Sequence, residues 1–267
     1  MILCRNSWID HTNIRMDGGH TILTWATVLL LSVSSLAGQS CTGVTALTTM
    51  EAVTRSAAPT LSDDVLSISA TPLPYGIAGL TSSSILLTHA GSLHGAGWLT
   101  GRTGGGWTDL AANVLVSHPF TDFTTCAATL HGTLAGARGF PFVASLGLSV
   151  GIRTILDGTW EYAAMIRDVV MFPRGREPSF IVGAGRHMTA SWSLAFDATV
   201  VPGTGLGLSI STRHLPDTTF LVRGELSARP ISIAVAGALR LTGGPLIGLE
   251  LRHVELLGVR PSITVEL

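Results

Sequence analysis

The chain has 267 residues, of which 46% are hydrophobic and 12% charged, and its formal net charge is −1. This balance argues against a protein that binds nucleic acid through electrostatics, so we expect no nucleic-acid partner. The chain contains no lysine, which excludes chemistry that needs a side-chain amine, such as a phosphate-loop lysine or a Schiff base. The mean hydropathy is high, +0.46, yet beyond the leader no apolar run reaches the roughly 18 residues of a membrane-spanning helix.

Residues 1–37 are typical of a secretory signal peptide. An apolar core follows Thr21, and Ser35-Leu36-Ala37 fits the small-x-small cleavage rule, which predicts cleavage after Ala37. A single membrane anchor is the alternative, and Met16 is a second candidate for the true start. We expect an exported protein.

Residues 38–82 form an N-terminal extension rich in Ser, Thr and Ala. Pro59, Pro72 and Pro74 interrupt it, and one short strand is predicted around Val65–Ala70. The rest of this extension is interpreted as a linker, a plug or an inward-folded hatch.

Residues 83–267 carry a repeated pattern of short alternating runs separated by turns. In the clearest run, Phe142–Ile155, every second residue is apolar and the residues between them are mostly Ser and Gly. Because successive side chains of a strand point to opposite faces, each run has one apolar and one small, polar face. Asp157-Gly158 is a strong hairpin signal. The pattern predicts about 12–14 antiparallel strands.

Strand length and charge favour a membrane barrel over a soluble sandwich. Many runs span about nine to twelve residues, enough for a tilted strand to cross a bilayer, whereas sandwich strands commonly have about five to six. We therefore predict an all-β fold, an antiparallel transmembrane β-barrel whose apolar faces contact the lipid bilayer. The alternative is an exported soluble β-sandwich that binds a partner or a glycan.

Sparse charges on the polar faces define the candidate site. In a barrel they would line the interior and tune its charge selectivity, and a histidine on the same kind of face could contact a ligand in the lumen. The candidate lumen-lining residues are His131, Arg153, Arg223, Glu225, Arg240, Glu250 and Arg252. In a sandwich the same charges would be the solvated face of an ordinary sheet.

Gly147-Leu148-Ser149-Val150-Gly151 matches the GxSxG motif of hydrolases. That motif works when the serine lies on a sharp strand-to-helix turn, but here it falls in the middle of a regular strand. An outer-membrane hydrolase using Ser149, with Asp168 or Asp197 and His214 or His253, is therefore the least favoured hypothesis, and we predict no enzyme. No histidine pair has metal-ligand spacing, so neither a metal nor another cofactor is expected.

In architecture the chain resembles the FadL/PorV-like group of outer-membrane barrels, which are fatty-acid-transporter-like or associated with type IX secretion. The resemblance rests on the strand number, the Tyr162–Arg167 and Trp192–Ala198 strands, and the turn Leu256–Pro261 before the final strand. The chain departs from the group in ending at Leu267 rather than at an aromatic residue, and it lacks an Asn-Pro-Ala stretch near its start.

This resemblance implies a location in the bacterial outer membrane and contact with the outer-membrane assembly machinery. It also implies passage of small or hydrophobic molecules, or a structural or secretion-associated role. A small hydrophobic ligand or a secretion-system component would then be the partner.

Overall fold

The computed structural model describes residues 41–77, 79–173, 178–202, 205–217, 219–228, 231–255 and 257–267. The predicted signal peptide lies outside these residues. The described chain contains one α-helix, α1 (Thr49–Arg55), one 3-10 turn (Pro74–Gly76) and fourteen strands. No described helix is long and apolar enough to span a membrane.

The fourteen strands form a closed antiparallel barrel. Each strand pairs with its neighbours along the chain, and β1 pairs with β14, for example Ile68 with Val265, to close the ring. The predicted barrel and its strand number are thereby confirmed. The strands are β1 (Leu66–Pro72), β2 (Thr81–His89), β3 (His94–Gly104), β4 (Trp107–Pro119), β5 (Thr124–Ala137), β6 (Val143–Leu156), β7 (Trp160–Phe172), β8 (Ser179–His187), β9 (Trp192–Val201), β10 (Gly205–His214), β11 (Phe220–Ala228), β12 (Ser232–Arg240), β13 (Leu246–Val254) and β14 (Gly258–Glu266).

The apolar faces of the strands point outward. On β12 Val235 is 58% exposed, while its neighbours Ala234 and Ala236 are buried on the inside of the ring. The alternative of a soluble sandwich is therefore wrong, because a sandwich would bury these apolar faces between two sheets.

The barrel begins at Leu66, earlier than the expected boundary at residue 83. β1 belongs to the wall because it hydrogen-bonds both β2 and β14, and without it the ring would stay open. Only residues 41–65 of the described extension therefore precede the wall.

We call the end of the barrel where β1 starts and β14 finishes the terminal end, and the opposite end the far end. Trp160, Tyr162 and Trp192 face outward near the terminal end, where interfacial aromatic residues are expected in a membrane barrel. Trp98 and Trp107 face inward, where Trp98 packs against buried lumen residues.

Candidate functional site

Residues 41–65, which we call the plug, lie for the most part inside the barrel. Most of their side chains are buried, including Cys41, Val53 and Ala58, which are exposed by 2% or less. The N–H of Ala57 donates to the carbonyl of Cys41 at 2.8 Å, so the plug folds back on itself inside the ring. Of the three interpretations of the extension, the geometry of these residues is that of a plug.

The plug is built around the short helix α1. The Thr48 hydroxyl caps it by accepting the N–H of Glu51 at 3.2 Å, and the Glu51 carboxylate accepts the N–H of Leu47 at 2.9 Å. This arrangement resembles a capping box, in which a Thr and a Glu three residues later satisfy free backbone donors. A helix of seven residues is too short to be stable alone, so its packing against the wall maintains it.

Apolar contacts hold the plug at three places on the inner wall. In the first, Met50, Val53 and Leu61 pack on Leu86, Ala96 and Leu115 of β2–β4. In the second, Cys41 and Ala57 meet Ala163, Met165 and Ile181 of β7 and β8. In the third, Leu47 packs on Ala236, Ala238 and Leu246 of β12 and β13.

Inward-facing glycines give the plug its space. A Cβ at Gly151 would overlap the carbonyl of Ala57, and one at Gly185 would lie 2.9 Å from Val44 Cγ2. Neither position has room for a side chain. The plug therefore packs directly on the backbone of β6 and β8.

Charged side chains join the plug helix to β11, β13 and β14. We call this group the ionic cluster, and its members are Glu51, Arg55, Arg223, Glu225, Glu250, Arg252 and Arg260.

Within the ionic cluster, charges of opposite sign alternate. Arg252 donates to both carboxylate oxygens of Glu225 at 2.9 Å, which is a bidentate pair. Arg223 bonds both Glu250 and Glu51, so it bridges wall and plug. Arg55 reaches Glu225 at 3.3 Å and Glu250 at 3.1 Å from the plug side.

Burial makes the ionic cluster sensitive to the loss of any member. Side chains of Arg223 and Arg252 are 2% and 1% exposed, and a charge left unpaired at such depth is strongly destabilising. Burial alone would lower the pKa of Arg55, but the carboxylates of Glu250, Glu51 and Glu225 raise it above its usual value. Arg55 therefore remains cationic over the whole physiological pH range.

Hydrogen bonds from backbone N–H groups of the plug to acidic side chains of the wall add to the plug's attachment. The N–H of Cys41 donates to Asp197 at 2.7 Å, and the N–H of Met50 donates to Glu266 at 3.0 Å.

Cys126 faces outward on β5 while Cys41 lies inside, and both cysteines are free, so they form no disulfide. Burial, followed by the nearby Asp197 carboxylate, raises the pKa of the Cys41 thiol, which stays protonated.

His131 faces the lumen, where it lies beside Asp168, a residue that the sequence analysis did not pair with it. His131 Nε2 lies 2.6 Å from Asp168 Oδ1, and the N–H of Asp168 donates to Ser149 Oγ at 3.3 Å. Asp168 has φ of 55° at an irregularity in the β6–β7 pairing, which turns it inward. Ser149 lies inside β6 opposite this irregularity and accepts a backbone N–H, so it is not on the strand-to-helix turn that a nucleophilic serine needs.

The other predicted lumen residues face inward, though not as one group. Arg223, Glu225, Glu250 and Arg252 converge in the ionic cluster. Arg153 lies apart, where it bonds the plug residue Thr60 and is 3.7 Å from Glu161. Arg240 lines a pocket between the plug and the terminal end.

Sequence reasoning missed the plug's own contribution, Glu51 and Arg55. The signal was present in Thr48-x-x-Glu51, a helix start, and in the i, i+4 spacing of Glu51 and Arg55. Within the described residues no group of three or more His, Cys, Asp or Glu could hold a metal ion.

The inner wall towards the far end carries paired hydroxyl groups. Inward-facing pairs are Ser84 with Thr100 at 2.9 Å, Thr133 with Ser145 at 2.5 Å, and Ser69 with Thr264 at 3.1 Å. This part of the lumen is polar, and it also contains an ion pair between Arg102 and Asp109 at 3.6 Å.

No protein-family model matches the chain, and no curated protein matches it. Among solved structures, the barrel is similar to the Pseudomonas putida toluene transporter TodX, with a TM-score of 0.60 and 10% identity over 88% of this chain and 96% of TodX. It is also similar to the Ralstonia pickettii toluene transporter TbuX, with a TM-score of 0.54 and 9% identity over 76% of this chain and 87% of TbuX. Both are FadL-family outer-membrane barrels. At this identity the likeness shows the fold alone, a closed β-barrel similar to those of outer-membrane proteins, and similarity to the PorV-like group stays a prediction.

Proposed function

We propose that this protein is a bacterial outer-membrane barrel that passes small molecules through its lumen, with the plug closing the path. The observation that carries the proposal is the plug itself, held inside a closed ring by the ionic cluster and three apolar contacts. Because the plug crosses the interior and packs on the wall at three places, passage requires the plug to shift or leave. Insertion into the membrane would proceed through the outer-membrane assembly machinery.

The inner wall behind the plug has two chemically different sides. Leu86, Ala96 and Leu115 form an apolar side on β2–β4, whereas Arg223 and Glu250 belong to a charged side on β11 and β13. A small hydrophobic or amphiphilic molecule fits such a lumen, since apolar surface is offered next to ionic groups. The toluene carried by TodX and TbuX belongs to this class of small hydrophobic molecules.

Charge selectivity would arise from the same residues. When the plug moves, its Glu51 and Arg55 withdraw from the wall. The ionic cluster is then left with three arginines, Arg223, Arg252 and Arg260, against two glutamates, Glu225 and Glu250. A lumen lined by excess positive charge concentrates anions. We infer that the open barrel favours anions over cations.

Conductance and solute influx in vesicles test the proposal. We would compare the natural chain with Glu51→Gln/Arg55→Met, which neutralises both plug charges, and with Arg186→Met, which removes an exposed arginine outside the lumen. The expected result is low conductance for the natural chain and for Arg186→Met, and a higher, anion-selective conductance for the double variant. Gel mobility before and after boiling verifies that every variant is a folded barrel.

The proposal fails if the double variant, folded and inserted, passes neither ions nor a small hydrophobic solute faster than Arg186→Met. It also fails if the natural chain does not float with vesicles or shift on boiling, because the chain would then not be a membrane barrel.

A further inference from the structure

The outer surface of the wall carries a large apolar depression, which we call the outer groove. It spans strands β1–β7 towards the far end and has a volume of about 890 Å³. Ligand pockets in proteins commonly measure about 300–1,000 Å³. Most of its lining residues occupy outward-facing positions. The outer groove therefore lies on the outer face of the wall, whereas the plug lies inside the barrel.

Small residues form the floor of the outer groove. They occupy neighbouring outward positions on β2–β6, where Ser83 pairs with Gly101 and Ala112 pairs with Gly132. The floor residues are Ser83, Gly101, Ala112, Gly132 and Ala144. The residues at the inward positions between them also have small side chains, so the wall is thin here.

Larger apolar side chains surround this floor. Leu110 Cδ2 would lie 3.6 Å from a Cβ built on Gly101, and Leu146 Cδ1 would lie 3.9 Å from one on Gly132. The surrounding residues are Ile85, Leu99, Leu110, Leu134, Leu146 and Phe172, all exposed. The outer groove is a gap in an otherwise continuous apolar band.

The lining offers almost nothing that a protein partner could hydrogen-bond. None of the described lining residues is charged, and the hydroxyls of Ser84, Thr100, Thr133 and Ser145 pair with each other on the inner face. Protein interfaces typically contain about one hydrogen bond per 100–200 Å². An acyl chain needs no hydrogen-bond partner, and it is flexible enough to follow a depression that crosses several tilted strands.

We propose that the outer groove is a binding site for the acyl chains of a bilayer phospholipid, retained in preference to the surrounding lipid. This inference rests on the membrane location proposed above but not on passage through the lumen. It adds a specific lipid site to a surface that otherwise contacts lipid uniformly.

Filling the outer groove tests the inference. Gly132→Leu places a side chain on the floor, and a Cβ there meets no atom closer than 3.9 Å, so the barrel should still fold. The matched control is Gly237→Leu, at an outward glycine of β12 across the barrel, where the nearest atom would be 3.6 Å away. Both variants and the natural chain are reconstituted in phosphatidylcholine vesicles that contain a phospholipid with a photoactivatable acyl chain.

Cross-links are located by mass spectrometry of peptides. In the natural chain and in Gly237→Leu, we expect the cross-links to concentrate on β2–β6. In Gly132→Leu, we expect the number of cross-links on these strands to fall about fivefold or more, because the added side chain occupies the floor of the outer groove. Even labelling around the barrel, unchanged by Gly132→Leu, would overturn the inference and leave the proposed function standing. Cross-linking between two protein copies through β2–β6 would also overturn it, because a second copy would then occupy the outer groove. Failure of the natural chain to float with the vesicles would refute both proposals.

Discussion

Arg55 of the plug helix and Glu250 of the wall are joined by a hydrogen bond of 3.1 Å. Glu250 also contacts Arg223, Arg252 and Arg260, so one buried carboxylate holds the wall together and anchors the plug. The attachment of the plug and the integrity of the inner wall are therefore electrostatically coupled.

Replacing Arg55 with methionine should loosen the plug and leave the barrel folded. The change removes the charged contacts to Glu225 and Glu250, and hydrogen bonds to charged groups contribute about 1.5–3 kcal/mol each. Glu250 retains its wall arginines, so the ring should survive. We expect accelerated proteolysis or hydrogen exchange of residues 41–65 with an unchanged gel shift on boiling. Equal exchange in Arg55→Met and in the exposed control Arg186→Met would contradict the role of this contact.

Gly151→Val should displace the plug by steric means alone. Its Cβ would overlap the carbonyl of Ala57, and overpacking of this kind typically costs about 1–3 kcal/mol. Gly132→Val is the matched control, since it adds the same atoms to the neighbouring strand on the outer face. Hydrogen exchange of the plug should rise in Gly151→Val and stay unchanged in Gly132→Val. A plug equally protected in both variants would mean that it does not pack against β6.

Alternation was enough to predict the barrel, because every second residue of a strand must meet the same environment. Val235 and Leu249 could be assigned to the outside from pattern alone, and Arg223 and Glu250 to the inside. The plug could not be predicted in the same way. Its contacts join residues about 170–200 positions apart in sequence, such as Arg55 with Glu225 and Glu250, and local pattern carries no record of such pairings.

The inward turn of Asp168 was also beyond the sequence. It depends on one irregular step between β6 and β7, which places an aspartate with φ of 55° beside His131. A strict alternation of faces has no means of anticipating such a step.

Cys41 should report the position of the plug. Its thiol pKa is raised by burial and by Asp197, so little thiolate is available at pH 8 in the closed barrel. In a Cys126→Ser background we expect iodoacetamide to label Cys41 more than ~10-fold more slowly in the folded chain than in the denatured chain. Arg55→Met should accelerate the labelling, as read by mass spectrometry of the Cys41 peptide. Labelling at the denatured rate in the natural chain would show that the plug is open.

The β10–β11 turn should weaken in acid. Asp217 accepts hydrogen bonds from the Thr219 hydroxyl, the Thr219 N–H and the Phe220 N–H, which lower its pKa below the ordinary 3.8. A lowered folded pKa means that this stabilisation is present above pH 3.8 and is lost as the pH falls through the folded value.

Amide hydrogen exchange of Thr219 and Phe220 in micelles measures this effect. Their protection factors should be constant near neutral pH and should fall below pH 3.8, and Asp217→Ala should remove the pH dependence. The Gly244 amide, which donates to the Leu241 carbonyl at 3.0 Å in a turn without carboxylates, is the internal control. A parallel fall at Gly244 would indicate general unfolding rather than titration of Asp217.

Ser149→Ala should leave the protein without any change in hydrolytic behaviour. Although His131, Asp168 and Ser149 lie near one another, the imidazole is bonded to Asp168 and the serine oxygen accepts a backbone N–H. A nucleophilic serine instead donates its proton to a base that a third group orients. Esterase and lipase assays of the natural chain, Ser149→Ala and the luminal control Ser145→Ala should therefore give the same rates. A loss of activity confined to Ser149→Ala would mean that the lumen carries out chemistry, and the protein would have to be reconsidered as a hydrolase.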